Sequence, residues 1–118
     1  MASSSSSFSP FDVVIVPFPY TDRLAQKRRP ALVVSSKALD NDHGLTWLMM
    51  ITSAVNRGWM GDVEIKNLAQ AGLPAASLVR PAKIATVESA HILKRIGTLA
   101  IAERQGVLRS IERYAARK

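Results

Sequence analysis

A run of basic residues leads directly into an apolar segment at residues 27–35, and this junction limits what the chain can fold into more than any other stretch. Residues 31–34 are apolar and rich in β-branched side chains, a pattern typical of a strand buried in a core. Pro30 cannot donate to a strand ladder, so we expect it to open this strand. Because proline favours an extended conformation at the residue before it, we expect Arg29 to be held at the strand entrance.

An arginine held in this way is suited to binding an anion. Its guanidinium is planar and permanently charged, and it can donate two parallel hydrogen bonds to a phosphate. Arg29 is therefore a candidate contact to a nucleic-acid backbone, with Lys27 and Arg28 beside it. Surface charge runs are common, so a basic triplet taken alone favours a solvated turn beside a strand, and only the surrounding sequence favours the binding site.

Composition narrows the class of protein. The 118 residues are enough for one domain with one modest core. They include no cysteine and only two histidines, His43 and His91, which lack other ligands at metal-binding spacing. We therefore predict no metal and no cofactor.

The net charge of +7 favours a polyanionic partner, either nucleic acid or an acidic protein. No apolar run approaches the roughly 20 residues that span a bilayer, which predicts a soluble cytoplasmic protein with no membrane partner.

The remaining sequence divides into short strands and one terminal helix. Residues 1–10 contain a serine run and are predicted to lack fixed structure, which leaves residues 11–118 as the domain. Residues 37–45 hold several turn formers and are predicted to be a connection. Residues 102–117 carry apolar side chains at helical spacing. The other predicted strands are residues 13–18, 46–53, 62–66, 77–81, 83–87 and 96–99, with a short helix or turn at 67–74.

The predicted strand at residues 46–53 is almost wholly apolar from Trp47 to Ile51, which places it in the core, and it ends in Thr52 and Ser53. Each of these hydroxyls can hydrogen-bond to a phosphate or a ribose, although hydroxyls at strand ends often bind nearby backbone instead.

Arg57 and Trp59 follow in a predicted loop. Bases stack on such side chains, and one stacked base contributes about 1–3 kcal/mol. Trp59 is equally compatible with a place in a dimer interface.

Three blocks of sequence resemble the MazF/PemK family of bacterial toxins. They occur in the family's order, as Asp12-Val-Val-Ile-Val-Pro-Phe-Pro-Tyr-Thr-Asp22, Lys27-Arg-Arg-Pro-Ala-Leu-Val-Val-Ser35 and Met50-Ile-Thr-Ser53. The resemblance extends from about Phe11 to the C-terminus, and the second block is its most specific part. Phe11 replaces the usual glycine before Asp12, which we expect to alter a turn and not the chemistry.

The resemblance implies a fold, a function and partners. The implied fold is mainly β (α+β), a small SH3-like antiparallel β-barrel with a C-terminal α-helix. The implied function is that of the toxin in a type II toxin–antitoxin system, a metal-independent endoribonuclease (mRNA interferase) that cleaves single-stranded RNA. The resemblance also implies a homodimer that is neutralised by a cognate antitoxin.

Carried over residue by residue, the resemblance assigns catalysis to Arg29, which stabilises charge at the scissile phosphate, and to Thr52, which positions it. The possible accessory catalytic residues are Ser53 and Arg80, and the predicted RNA-binding residues are Lys27, Arg28, Arg57 and Trp59. Arginine stays protonated, so another group must activate the 2′-hydroxyl. Some relatives carry a carboxylate where this chain has Ala82, and the base is therefore not identified; Asp62 is a weaker local candidate.

Two other functions are compatible with the same fold. One is a non-catalytic inhibitor of DNA gyrase resembling CcdB, and the other is a basic nucleic-acid-binding module that does not cut. Fold alone does not separate them. The pair of Arg29 before Pro30 and Thr52 at a strand end favours the nuclease, because a gyrase inhibitor has no need of that pair.

Overall fold

The structure is a computed structural model that describes residues 7–18 and 27–116. Six strands form one curled antiparallel sheet in the order β4-β5-β3-β2-β1-β6. The strands are β1 (Asp12–Phe18), β2 (Lys27–Val33), β3 (Leu45–Ser53), β4 (Val63–Ile65), β5 (Ser77–Glu88) and β6 (Lys94–Thr98). The helices are α1 (Lys37–His43), α2 (Leu68–Ala71) and α3 (Ile101–Tyr114), with single 3-10 turns at Ala54–Asn56 and Ser89–His91. The predicted fold class is confirmed.

The sheet buries apolar side chains on both of its faces. The side chains of successive residues in a strand point to opposite faces, so neighbouring residues belong to different clusters. Val13, Leu32 and Met49 belong to one apolar cluster, which residues of α2 and α3 cover. Their neighbours Val14 and Leu48 belong to a second cluster on the other face. This explains why β1 and β3 are continuously apolar where a sheet with one solvated face would alternate. In residues 7–18 and 27–116, no helix is both long and apolar enough to cross a membrane.

The prediction that Pro30 opens a strand is wrong, because β2 begins three residues earlier at Lys27. Residues 27–30 pair with β1, whereas pairing with β3 begins at Ala31. On its β3 side, Pro30 therefore lies where the strand is still an edge, and its missing N–H is tolerated there. Arg29 consequently lies within a strand, opposite Val16, and not at its entrance.

The prediction that residues 37–45 form a connection is also wrong, because they contain α1. The Ser36 hydroxyl accepts from the Ala38 amide at its start, and Gly44 ends it with φ of 68°. These two caps make a short helix from residues that otherwise favour turns. His43, which the sequence places in a loop, is the last residue of this helix.

The expectation that the whole of β3 is buried is wrong at Trp47, because 45% of the surface of this residue is exposed. It lies near the start of β3, two residues before the buried Met49. The two strands predicted at residues 77–81 and 83–87 are one strand, β5, which passes through Pro81. The remaining predicted strands and the terminal helix are confirmed within a few residues of their expected bounds.

The described residues begin before the predicted domain start at Phe11. Phe8 packs against the second cluster, and the Ser9 amide donates to Asp12 Oδ2 at 2.8 Å. Phe11 itself has φ of 71°, in the left-handed region that favours glycine. A glycine, which the resemblance leads us to expect at this position, adopts such a conformation without strain. The first six residues of the predicted structureless segment lie outside the described residues.

Candidate functional site

A cleft of about 520 Å³ opens at the ends of β1, β2 and β3, beside a bulge in β5. The bulge arises because Met49 pairs with Ile84 while the next residue, Met50, pairs with Arg80. Residues 81–83 are therefore unmatched by β3 and curve away from it. The cleft brings together polar and apolar side chains from all four strands, namely Arg29, Thr52, Arg80, Lys83, Phe18 and Met50.

The pleat of β2 divides the basic triplet between two surfaces. Arg29 lines the cleft, whereas Arg28 lies on the opposite face, in a separate groove beside Ile15 and Lys94. Lys27 is two residues from Arg29 and shares its face of the strand. All three basic side chains are exposed. The structure thus separates Arg28 from the predicted catalytic residues, although it is adjacent to one of them in sequence.

Arg80 is the most tightly held cation of the cleft. Its Nε and Nη2 donate to the two carboxylate oxygens of Asp62 at 3.1 and 2.9 Å, and Nη2 also donates to the carbonyl oxygen of Asn56 at 2.7 Å. The side chains of Arg80 and Asp62 are only 9% and 11% exposed. The hydrogen bonds to Asp62 raise the pKa of Arg80, which is a cation at every accessible pH. Asp62 compensates this charge and fixes the direction of the guanidinium.

Trp59 packs over this ion pair at the edge of the site. The Arg80 guanidinium carbon lies 4.4 Å from the centroid of the indole ring, and Lys83 Nζ lies 5.6 Å from it. Both distances are within the range of a cation–π attraction. Since Trp59 is 47% exposed, part of its ring is still available to another flat group. The structure therefore brings Trp59 next to Arg80, whereas Arg57 lies exposed just beyond the 3-10 turn and outside the cleft lining.

The two hydroxyls at the end of β3 have different partners. Thr52 lines the cleft, and its Oγ1 accepts a hydrogen bond from Asn56 Nδ2 at 2.9 Å. Ser53 caps the 3-10 turn instead, because its Oγ accepts from the Val55 amide at 3.3 Å. Ser53 therefore fits the interpretation of a hydroxyl bound to nearby backbone, whereas the Thr52 hydroxyl retains its own proton for a further hydrogen bond.

The described lining of the cleft holds cations and a hydroxyl but no carboxylate or imidazole. Ala82 lies in this lining, at the position where the sequence lacks an expected acid. Asp62, the weaker candidate for a base, has both oxygens bound to Arg80. What the cleft can do chemically is therefore to bind an anion and to stabilise negative charge as it develops.

Two residues of the site, Asn56 and Lys83, were not predicted from the sequence. Asn56 lies four residues after Thr52, and the 3-10 turn at Ala54–Asn56 returns it to the end of β3. Lys83 enters the cleft because the bulge displaces residues 81–83. The Arg-Pro sequence at residues 80–81, which interrupts an otherwise regular strand, is the signal that could have indicated a bulge.

Comparison with protein families matches residues 9–114 to the model described as PemK-like, MazF-like toxin of type II toxin-antitoxin system. Comparison with curated proteins gives no match. Among solved structures, the chain is similar to the Mycobacterium tuberculosis toxin MazF-mt6, with 20% identity and a TM-score of 0.70 over 86% of this chain and 93% of that one. It is similar to MazE-MazF from Deinococcus radiodurans, with 19% identity and a TM-score of 0.70 over 91% and 93% of the two chains.

A third similar structure is an endoribonuclease in complex with its cognate antitoxin from a mycobacterial species. Its identity is 14% and its TM-score is 0.71, over 91% of this chain and 93% of that one. At these identities the structural likeness establishes the shared fold. The match over residues 9–114 covers most of the chain and includes every residue of the cleft named above.

Proposed function

The chain belongs to the PemK-like, MazF-like family of toxins from type II toxin–antitoxin systems, and on that premise we propose that it is a metal-independent endoribonuclease that cleaves single-stranded RNA in the cleft. The observation that carries this proposal is the meeting of Arg29 and Thr52, 23 positions apart in the sequence, in one cleft with further cations. A gyrase inhibitor has no need of this arrangement of charge and hydroxyl around a space open to an anion, and RNA cleavage itself distinguishes the nuclease from a passive binding module.

In the proposed reaction, the ribose 2′-hydroxyl attacks the adjacent phosphorus, a bond from phosphorus to O2′ forms, and the bond to O5′ breaks. The attacking hydroxyl loses a proton, and the departing O5′ gains one. Arg29 donates two hydrogen bonds to the phosphate oxygens, on which negative charge grows in the transition state. Thr52 donates a hydrogen bond from its hydroxyl to the same phosphate. Lys83 adds positive potential at the opposite wall of the cleft, and Arg80, whose charge Asp62 compensates, shapes that wall.

The RNA on either side of the cleaved bond is proposed to follow the exposed basic and aromatic side chains. Trp59 stacks on a base next to the cleft, and Lys27 contacts the backbone on the face of β2 that it shares with Arg29. Arg28 and Arg57 lie outside the cleft lining, so we assign them backbone contacts beyond the cleaved phosphate. Ser53 is left with a structural role at the 3-10 turn.

Partners follow from the same premise. We propose that a cognate antitoxin neutralises the toxin, as the solved structures of similar toxins with their antitoxins suggest. An acidic segment that covers Arg29 imitates the RNA backbone, so antitoxin and RNA exclude each other. We also propose that the protein is cytoplasmic and forms a homodimer, in which exposed apolar side chains such as Trp47, 45% exposed on β3, are covered. Light scattering at micromolar protein should give twice the 12.9 kDa chain mass, and the mass of one chain would contradict the dimer.

Incubation of the purified protein with a long single-stranded RNA in EDTA tests the proposed activity. We expect discrete fragments whose 5′ ends carry a hydroxyl, while Arg29→Ala protein purified in the same way leaves the RNA intact and so controls for contaminating nuclease. Intact RNA together with inhibition of gyrase supercoiling would favour the gyrase inhibitor. RNA that is retarded in a gel but not cut would favour the binding module.

A further inference from the structure

Asn56 contacts both the Thr52 hydroxyl, which the proposed reaction uses, and Arg80, one of the cations of the cleft. Its Nδ2 donates to Thr52 Oγ1 at 2.9 Å, and its carbonyl oxygen accepts from Arg80 Nη2 at 2.7 Å. The 3-10 turn at Ala54–Asn56 makes both contacts possible, because it returns the chain from the end of β3 toward the cleft. A single residue thus links β3, which carries Thr52, to β5, which carries Arg80.

The direction of the hydrogen bond between Asn56 and Thr52 decides what the hydroxyl can do. A threonine hydroxyl has one proton to donate and two lone pairs that accept. Because Asn56 is the donor in this contact, the Thr52 proton is not consumed by it and can be donated into the cleft. We propose that Asn56 is a positioning residue that orients the Thr52 hydroxyl as a hydrogen-bond donor to the scissile phosphate. The inference rests on the proposed RNA cleavage and gives Asn56 no contact with RNA.

The second contact of Asn56 makes the first one testable in isolation. Arg80 binds the main-chain carbonyl of Asn56, which a substitution of the side chain leaves in place. Asp62 fixes Arg80 in turn, so the turn that carries residue 56 stays attached to β5. Asn56→Ala should therefore remove the hydrogen bond to Thr52 while the cleft keeps its shape.

A double-mutant cycle on the single-turnover cleavage rate tests this role. Asn56→Ala should slow cleavage about tenfold at saturating RNA, the size expected when one hydrogen bond is lost. The same change in a Thr52→Val background should have no further effect, because Asn56 acts through the hydroxyl that valine lacks. Equal losses in the two backgrounds, or a wild-type rate in Asn56→Ala, would overturn the proposal.

Asn67→Ala is the matched control. Asn67 is also exposed and also makes a side-chain hydrogen bond beside a short helical turn, since its Oδ1 accepts from the Gln70 amide at 3.0 Å. It lies outside the cleft lining. We expect Asn67→Ala to cleave RNA at the wild-type rate, and a tenfold loss in this variant would show that the effect of Asn56→Ala is not specific.

Asn56→Asp reverses the polarity of the contact and gives a second test. A carboxylate only accepts, so the Thr52 hydroxyl must donate its hydrogen bond to the carboxylate and can no longer donate it to the phosphate. At saturating RNA, where repulsion on binding does not contribute, cleavage by Asn56→Asp should be slower than cleavage by Asn56→Ala. Faster cleavage by the aspartate variant would overturn the assigned direction of the hydrogen bond.

A measurement without RNA distinguishes failure of this inference from failure of the proposed function. In the free protein, the NMR resonances of the Asn56 side-chain amide should shift when Thr52 is changed to valine, while those of Asn67 should not. Unchanged Asn56 resonances overturn the inference even in an active nuclease. A wild-type protein that leaves RNA intact overturns the proposed function, and with it any catalytic role of Asn56, whatever the resonances show.

Discussion

The two sides of the cleft present arginines in opposite states. Arg80, on the β5 side, is nearly buried, is bound by both oxygens of Asp62 and is covered by Trp59. Arg29, on the β2 side, is exposed and makes no ion pair with any residue that the structure describes. A charged side chain in the cleft is therefore not always available to bind a ligand. Arg80 is part of the wall of the cleft, and Arg29 is the arginine that is available to the phosphate.

The largest expected effect follows from removing the available arginine. Arg29→Ala should lower the single-turnover rate of RNA cleavage by about 100-fold or more, since loss of one donor to a developing oxyanion costs that much in other enzymes. Arg29→Lys should restore little, because lysine keeps the charge but loses the fork that binds two oxygens. Near-normal cleavage by the lysine variant would refute the claim that geometry matters. The midpoint of thermal unfolding should stay at its wild-type value in both variants.

Removing the fixed arginine should instead damage stability. Arg80→Ala leaves the Asp62 carboxylate nearly buried without its cation, which destabilises a protein strongly. We expect calorimetry to show an unfolding midpoint lower by about 5 °C or more for a domain of this size. Asp62→Ala should lower it as well, because Arg80 then loses its partner. If Arg29→Ala lowered the midpoint by as much as Arg80→Ala, the contrast between the two sides would not hold.

Trp59 should affect binding more than the chemical step. Its half-exposed ring covers Arg80 and is available to a base, and one stacked base contributes about 1–3 kcal/mol. Trp59→Ala should therefore raise KM for RNA about tenfold or more with little change in kcat, whereas Trp59→Phe should recover most of the affinity. A fall in kcat at unchanged KM would place Trp59 with Arg29 in the chemistry.

The smallest expected effect lies outside the cleft, at Phe11. Its left-handed φ of 71° strains every residue except glycine, so Phe11→Gly should be more stable than Phe11→Ala by about 1 kcal/mol. Both variants lose the aromatic ring that packs against the first cluster, and their difference therefore reports the backbone alone. Urea titration measures it. Cleavage at saturating RNA should be the same in both, and a difference in rate would mean that this turn influences the cleft.

The parts of this molecule that could be predicted from sequence are those that depend on local pattern. The strands around Val13, Leu32 and Leu48 follow from apolar runs, and the terminal helix follows from apolar spacing. The blocks around Arg29-Pro30 and Thr52 resemble a toxin family, and the family model that matches residues 9–114 confirms this resemblance.

The parts that could not be predicted depend on contacts between distant residues. The ion pair of Arg80 with Asp62 joins positions 18 apart, and the bulge that admits Lys83 arises from a register shift between β3 and β5. α1 was missed because its stability comes from capping at Ser36 and Gly44, which outweighs the turn formers between them. Residues 19–26, between β1 and β2, lie outside the described residues.

Arg28 and Arg29 test most directly whether the unpaired arginine that faces the cleft stabilises the phosphate at which RNA is cleaved. They are adjacent and equally charged, but the pleat of β2 directs them to opposite faces. Arg28→Ala and Arg29→Ala each change the net charge by one, so any effect of overall charge on RNA binding is the same for both. The measurement is the single-turnover cleavage rate of each variant at saturating RNA. We expect a rate within about threefold of wild type for Arg28→Ala and a loss of about 100-fold or more for Arg29→Ala. Equal losses in the two variants would contradict it.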